Sequence, residues 1–178
     1  MATNEEARAI KTKRLRLVPL DAAHADELMG LIDPRVTEHF LSEDAPSTKS
    51  ELREQYRAIE NAARHITSAA QFNALTVRLA RSEQAIGRIE ALVHGPDAEI
   101  AFVFVAASWS QGYATEAVRA LASELKAGGV KRLWACVAPG NAASLVLCKR
   151  LSFEPCVLPG TFEAATFDDG DDVLMVEL

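Results

Sequence analysis

The 178-residue chain holds only three cysteines, Cys136, Cys148 and Cys156, and no two of them are spaced C-x-x-C. An odd, scattered set does not make a disulfide framework or a zinc site, and it fits buried thiols in a reducing compartment. Long apolar runs are missing too. None approaches the roughly 20 residues that span a bilayer, and the opening "MATNEEARAIKTKR" has no apolar signal core, so a cytoplasmic location and no membrane partner are expected. An excess of positive charge is also absent: 19 Lys and Arg face 25 Asp and Glu, a net charge of -6. A protein that coats nucleic acid by neutralising phosphates would need the opposite balance. Histidines 39, 65 and 94 stand apart with no ligand spacing, so no metal site is expected. There is no internal repeat, low-complexity tract or linker. What the chain does have is 49% apolar residues, enough at this length for one sizeable core and a single domain over residues 1–178.

The apolar pattern changes period along the chain. "TKRLRLVPL" alternates Leu15 and Leu17 with basic residues up to Pro19, as a strand does. Asp21 is placed to cap "AAHADELMGLI" as a helix. Thr48 followed by Glu51 has capping-box spacing, and Leu52, Tyr56, Ile59 and Ala63 line one face of a second helix. From Phe72, the runs "FNALTVRLA", "AIGRIEALV" and "EIAFVFV" are separated by "RSEQ" and "HGPDA", which predicts an antiparallel meander. A helix after Gly112 that ends at Gly128 and Gly129 follows, then a strand "KRLWACV", a helix from Asn141 to Leu151, and strands near Phe153 and Val173. "DDGDD" at 168–172 reads as a solvated turn. The order is α+β.

One stretch asks for more than a structural reason. "WSQGYATEAV", residues 109–118, joins a strand to a helix through a single glycine. The first N–H groups of a helix have no partner inside it, and an anion can take them. Gly112 permits a tight turn and close approach, and Ala114 keeps the next inward position small. Donors from Gln111, Gly112, Tyr113, Ala114 and Thr115 would converge on a phosphate. A plain glycine turn, or a nucleotide site, fits the same spacing.

The stretch resembles the acyl-CoA pyrophosphate loop, Q/R-x-x-G-x-G/A, of the GNAT N-acetyltransferases, and is most similar to the RimJ and RimL branch that acetylates ribosomal-protein N-termini. Trp109 through Ala114 fill that loop. "NAASLVLCKRLSF", residues 141–153, is similar to the family's N-x-x-S-x-x-x-x-x-x-G-F segment, with Asn141, Ser144 and Phe153 matching and Ser152 in place of glycine. The resemblance implies a GNAT fold, a mixed, mostly antiparallel twisted sheet of about six or seven strands flanked by about four helices. That sheet would splay between strands 4 and 5, with acetyl-CoA in the gap. It implies main-chain contacts to pantetheine from Phe102, Val103 and Phe104 on the fourth strand, and an N-cap at Asn141 that also touches CoA. It further implies that Ser144 protonates the leaving thiolate. Cys148, where other branches carry a tyrosine, is expected to be a buried spectator, and Tyr113 either lies on the cofactor or shields the loop.

The chemistry implied is direct attack of a neutral amine on the thioester, which requires a proton acceptor for an amine largely protonated at neutral pH. Glu99 is the leading candidate, because it shares the side-chain face of Ala101 and Val103. Glu163 follows and Glu90 is the third. Glu116, in the first turn of the cofactor helix, is expected to serve the helix dipole or a structural hydrogen bond. The expected function is acetyl transfer from acetyl-CoA to a primary amine of a protein N-terminus, peptide or small molecule, by a monomer or homodimer. The alternative is a CoA-binding regulatory module that has lost turnover.

Overall fold

The computed structural model describes residues 9–37, 45–64, 71–160, 162 and 164–178. One eight-stranded sheet runs through it in the order β1 (Ile10–Lys11), β2 (Leu15–Pro19), β3 (Gln71–Leu79), β4 (Ala85–His94), β5 (Asp97–Phe104), β6 (Arg132–Val137), β8 (Asp172–Glu177) and β7 (Glu154–Pro155). All neighbours are antiparallel except β5 and β6. The strand count exceeds the expected six or seven through β1, a two-residue edge piece with too few side chains to show a period; β7, equally short, is the strand expected near Phe153. Four α-helices accompany the sheet: α1 (Pro34–Thr37), α2 (Lys49–Arg64), α3 (Tyr113–Ala127) and α4 (Ala142–Arg150).

The expected helix after Asp21 is instead two 3-10 turns, Ala22–Asp26 and Met29–Ile32, followed by the single-turn α1. Asp21 does cap, its Oδ1 accepting from Ala23 N at 2.7 Å, but the run cannot continue as one helix. Gly30 sits so close to Val105 that an added Cβ would lie 3.1 Å from its Cγ1, and Pro34 has no N–H to give to a preceding turn. Helix α2 begins as the spacing predicts. Thr48 Oγ1 accepts from Glu51 N at 3.2 Å, while the Glu51 carboxylate takes the N–H and hydroxyl of Ser47 at 2.8 and 2.9 Å.

Strand alternation divides the core between the two faces of the sheet. Ala98, Ile100, Phe102 and Phe104 turn to a cluster with Val118, Leu121, Leu147 and Cys148 of α3 and α4. Val103 turns to a second cluster with Leu28, Leu31, Leu52 and Tyr56 under α2. Helices α2 and α3 are therefore amphipathic, because each covers one face of the sheet and leaves its other side to water.

Ser152, the residue that departs from glycine, follows α4 with φ of +64°. That left-handed conformation is one glycine adopts freely and other L-residues reach at a cost of about 1 kcal/mol. Ser152→Gly is therefore expected to stabilise the protein by roughly 0.5 kcal/mol once the greater freedom of glycine in the unfolded chain is subtracted. A small rise in thermal midpoint would show it, and a fall would contradict the argument.

Candidate active site

Strands β5 and β6 run parallel and pair at Asp97–Arg132, Ala98–Leu133 and Glu99–Trp134. Asp97 pins this closed end, accepting from Arg132 Nε and Nη2 at 2.6 and 2.7 Å and from Trp134 Nε1 at 2.8 Å. Past Glu99 the two strands have no further pairing among the described residues, and a gap opens between them.

The main chain of β5 faces that gap in a regular pattern. Val105 N–H bonds Ile86 O at 2.9 Å, so in an antiparallel pair the alternate residues Val103 and Ala101 also turn their main-chain groups toward β4. The close approach of Val103 O to Gly87, 2.5 Å from where a Cβ would stand, agrees. Ile100, Phe102 and Phe104 consequently turn theirs into the gap, with Phe104 O already taken by Trp109 Nε1 at 2.8 Å. Of the three residues expected to contact pantetheine, Phe102 and Phe104 face their main-chain groups to the gap and Val103 faces its own to β4.

Both strands aim their C-terminal ends at the mouth of the gap, and α3 and α4 begin from the connections that follow them. Gly112 caps α3 with φ of +76° and Ser110, two residues earlier, has φ of +59°. The first helical bond is Glu116 N to Gly112 O at 3.1 Å, which leaves the N–H groups of Tyr113, Ala114 and Thr115 ahead of the ladder. The loop is held from behind by Arg14. Its Nη1 donates to Gln111 O at 2.9 Å, its Nε donates to Glu116 Oε2 at 2.6 Å, and its guanidinium lies 4.6 Å from the centre of the Tyr113 ring. Gln111 Nε2 donates to Ala107 O at 3.0 Å. Arg14, Arg119 and Arg150 together with Gly112, Thr115 and Glu116 line a cavity of about 510 Å³. A chain of net charge -6 thus gathers three cations at one helix N-terminus, the arrangement that draws a phosphate.

At α4, Asn141 is the N-cap, its Oδ1 accepting from Ser144 N at 3.1 Å. Ser144 is half-buried in the first turn. Cys148 is fully buried, and burial pushes its thiol up to about 11, which removes it from thiolate chemistry near neutral pH.

Residues 14–154 match the family described as Acetyltransferase (GNAT) domain. The chain belongs to the GNAT acetyltransferase family. Solved structures share the fold at low identity. A RimL ribosomal L7/L12 α-N-protein acetyltransferase aligns at TM-score 0.74 and 18% identity over 96% of this chain and 93% of that one. The Salmonella typhimurium acetyltransferase that modifies the N-terminal serine of ribosomal protein L7/L12 gives 0.73 and 16% over 96% and 99%. The Microcin C7 self-immunity acetyltransferase, solved with acetyl-CoA and AMP, gives 0.73 and 16% over 94% of each chain. Identities this low speak for the fold alone. None of the curated proteins matches.

The family is one of acetyltransferases, and the Microcin C7 self-immunity enzyme of this fold was solved with acetyl-CoA. Glu99 stands on β5 at the closed end of the gap, only 2% exposed. Its Oε2 accepts from Ala165 N at 2.6 Å, and its Oε1 accepts from Thr166 N at 3.0 Å and from the Thr166 hydroxyl. The carboxylate expected to wait for a proton is thus already holding a loop against the sheet. Glu163 lies outside the described residues, as do His39 and His65. Glu90 projects from β4 beside Arg88, with Arg88 Nε and Glu90 Oε1 2.7 Å apart. Among the described residues no three His, Cys, Asp or Glu side chains gather to hold a metal, and no helix is long and apolar enough to cross a membrane.

Sequence reasoning missed the arginines. Arg119 had a signal, since it follows Gly112, Thr115 and Glu116 along one helical face. Arg14 and Arg150 had none, because only the folded sheet brings them to that helix. Glu116 behaves as expected of a structural partner, accepting from Thr12 Oγ1 at 2.6 Å as well as from Arg14.

Acid should release these clamps. Hydrogen bonds from Arg132 hold Asp97 below the usual carboxylate range; at Glu116 burial works upward and is outweighed by hydrogen bonds from Thr12 and Arg14. A pKa lower in the folded than in the unfolded state stabilises the fold above the unfolded value of about 4, and that contribution is lost as pH falls through the folded one. The thermal midpoint should therefore drop below about pH 4, and more gently in Asp97→Asn and Glu116→Gln. An equally steep drop in both variants would refute the assignment.

Proposed function

We propose that this protein transfers the acetyl group of acetyl-CoA to a primary amine by direct attack of the amine on the thioester. The observation that carries the reading is the gap itself: β5 turns the main chain of Phe102 and the N–H of Phe104 into it, and α3 and α4 begin from the connections that follow its two strands. An extended pantetheine arm is matched by that strand edge as an added strand would be. The phosphates are matched by the N–H groups of Tyr113, Ala114 and Thr115, with the Arg14, Arg119 and Arg150 cavity beside them. Gln111 and Gly112 shape the loop, and Asn141 orders the first turn of α4.

Acetyl-CoA supplies an activated acyl group and a thiolate leaving group. Ser144, on the first turn of α4, is the proposed proton donor to that sulfur. The first acceptor to try is a peptide with a free N-terminal serine, because two of the fold neighbours act on ribosomal protein L7/L12 and one of them is described as modifying its N-terminal serine. Ser152, the departure that favoured a module without turnover, holds the left-handed backbone a glycine would hold, so it leaves the end of α4 unchanged.

The test is turnover with acetyl-CoA across a panel of an N-terminal-serine peptide, lysine-containing peptides, polyamines and amino-acid amides, read by the mass of the acetylated product. Mass detection keeps the protein's own thiols out of the signal. Acetyl-CoA should also raise the thermal midpoint much more than adenosine does, since a ligand that binds only the folded state stabilises it. Equal stabilisation by adenosine would remove the phosphate cradle.

A further inference from the structure

Two buried side-chain oxygens on the α2 face of the sheet have no hydrogen-bond partner among the described residues: Glu90 Oε1 and Tyr56 Oη. Native interiors seldom leave such atoms alone, and each asks for a reason. Arg88 joins the two. Its Nε lies 2.7 Å from Glu90 Oε1 as an ion pair, but without the alignment of a hydrogen bond, so the oxygen keeps capacity to accept. Its Nη1 donates to Gln55 Oε1 at 3.1 Å, and its guanidinium carbon lies 5.4 Å from the centre of the Tyr56 ring. Tyr56 is completely buried. Burial, opposed by Arg88 and reinforced by Glu90, pushes its hydroxyl up to about 12, so it stays an intact O–H through the neutral range.

The place of this cluster in the sheet matters as much as its composition. Glu90 pairs directly with Ala101 of β5, and β5 is the strand that borders the gap. With neighbouring strands about 4.8 Å apart, Glu90 is roughly two strand spacings from a ligand pairing in the gap. The Glu90 and Ala101 side chains rise from the same face of the sheet, so water on that face can relay a proton between the carboxylate and an acceptor entering over Ala101. Ala101 between them is small enough to leave the path open. Glu99, nearer in the sheet, has its two oxygens filled by Ala165 and Thr166 and is 2% exposed, whereas the Glu90 side chain keeps 15% of its surface open beside an Arg88 at 11%.

We propose that Glu90 takes up the acceptor's ammonium proton across Ala101, and that Glu99 is a positioning residue that holds the 165–166 wall of the acceptor site. The inference rests on the acetyl-transfer reading above and names the acceptor's chemistry as a primary ammonium. One N–H proton passes through water to the Glu90 carboxylate and on to solvent. The freed nitrogen lone pair forms the C–N bond to the acetyl carbon, the C–S bond breaks with its electron pair on sulfur, and a second nitrogen proton goes to the thiolate. The sum is one amide, one thiol and one proton released.

The experiment is steady-state kinetics of the full chain on whichever amine of the panel the wild type acetylates, across pH 5 to 9. Glu90→Gln should lower kcat by about 100-fold or more, the scale of a positioned general base, with acetyl-CoA affinity unchanged. The acidic limb of kcat, which reports the bound complex and not the free amine, should disappear with it. The charged and titratable groups facing Glu90 are Arg88 on its own strand, Tyr56 from α2 and Glu99 diagonally across on β5. The Tyr56 hydroxyl, pushed up to about 12, stays protonated over that range, and the limb should persist in Glu99→Gln. Should Glu90→Gln alone strand Arg88 and fail to fold, the double variant Arg88→Gln, Glu90→Gln removes both charges and carries the same expectation. Turnover within a few-fold of wild type in a folded variant lacking Glu90, or an unchanged acidic limb, would overturn the assignment. Absence of wild-type turnover on every amine would instead overturn the acetyl-transfer reading, and this inference with it.

Discussion

Replacing Gly112 with valine is expected to weaken acetyl-CoA binding about tenfold or more while leaving the sheet and helices in place. The reason lies in the backbone and not in crowding. A Cβ at Gly112 would meet only Arg14 Nη2, at the ordinary distance of 3.5 Å, but φ there is +76°. A β-branched residue held in the left-handed region costs about 1–2 kcal/mol, so the loop either keeps that strain or swings out of the conformation. Swinging out turns the N–H groups of Tyr113, Ala114 and Thr115 away from their common focus, and 1.4 kcal/mol lost there is a factor of about ten in affinity. Gly112→Ala, without the branch, should fall between. Calorimetry or a thermal-shift titration measures it, and unchanged affinity in a folded Gly112→Val protein would show that the loop is only a turn.

The second large effect is expected at Glu99, and it should appear in stability and acceptor KM more than in kcat. Three donors converge on its two oxygens. In Glu99→Gln the new NH₂ must replace one of those oxygens. Put in place of Oε2, it confronts Ala165 N–H; put in place of Oε1, it confronts Thr166 N–H, and only the Thr166 hydroxyl can rotate to accept. Either orientation leaves one main-chain N–H unpaired, at a cost of about 1–3 kcal/mol, or roughly 2–12 °C in thermal midpoint for a chain of this size. The loosened 165–166 segment should then raise the acceptor KM severalfold. A folded, fully stable Glu99→Gln whose kcat alone collapses would return the proton to Glu99 and remove it from Glu90.

Much of the fold was legible because its elements are long and strongly patterned. The meander from β3 to β5 alternates over enough residues to declare its period, and α3 is framed by Gly112 before it and Gly128 and Gly129 after it. The segment after Asp21 was misread because its apolar residues have helical spacing, while its backbone is set by the contact of Gly30 with Val105, a residue distant in sequence. The two-residue strand β1 carries no period at all.

The site divides along the same line. Local sequence determined the parts made by consecutive residues: the left-handed turn at Gly112, the free N–H groups that follow it, and the Asn141 cap with its bond to Ser144 N. Those depend on φ, on missing ladder partners and on side chains a turn away, all of which travel with the chain itself. Tertiary structure alone decided which way the main chain of Val103 and Phe104 points, because that depends on register with β4. It decided that Arg14 and Arg150 join Arg119 around one cavity, and that Glu99 meets Ala165 and Thr166 while Glu90 meets Arg88 and Tyr56. A carboxylate's chemistry is set by what donates to it, and those donors come from elements that only the folded sheet brings together.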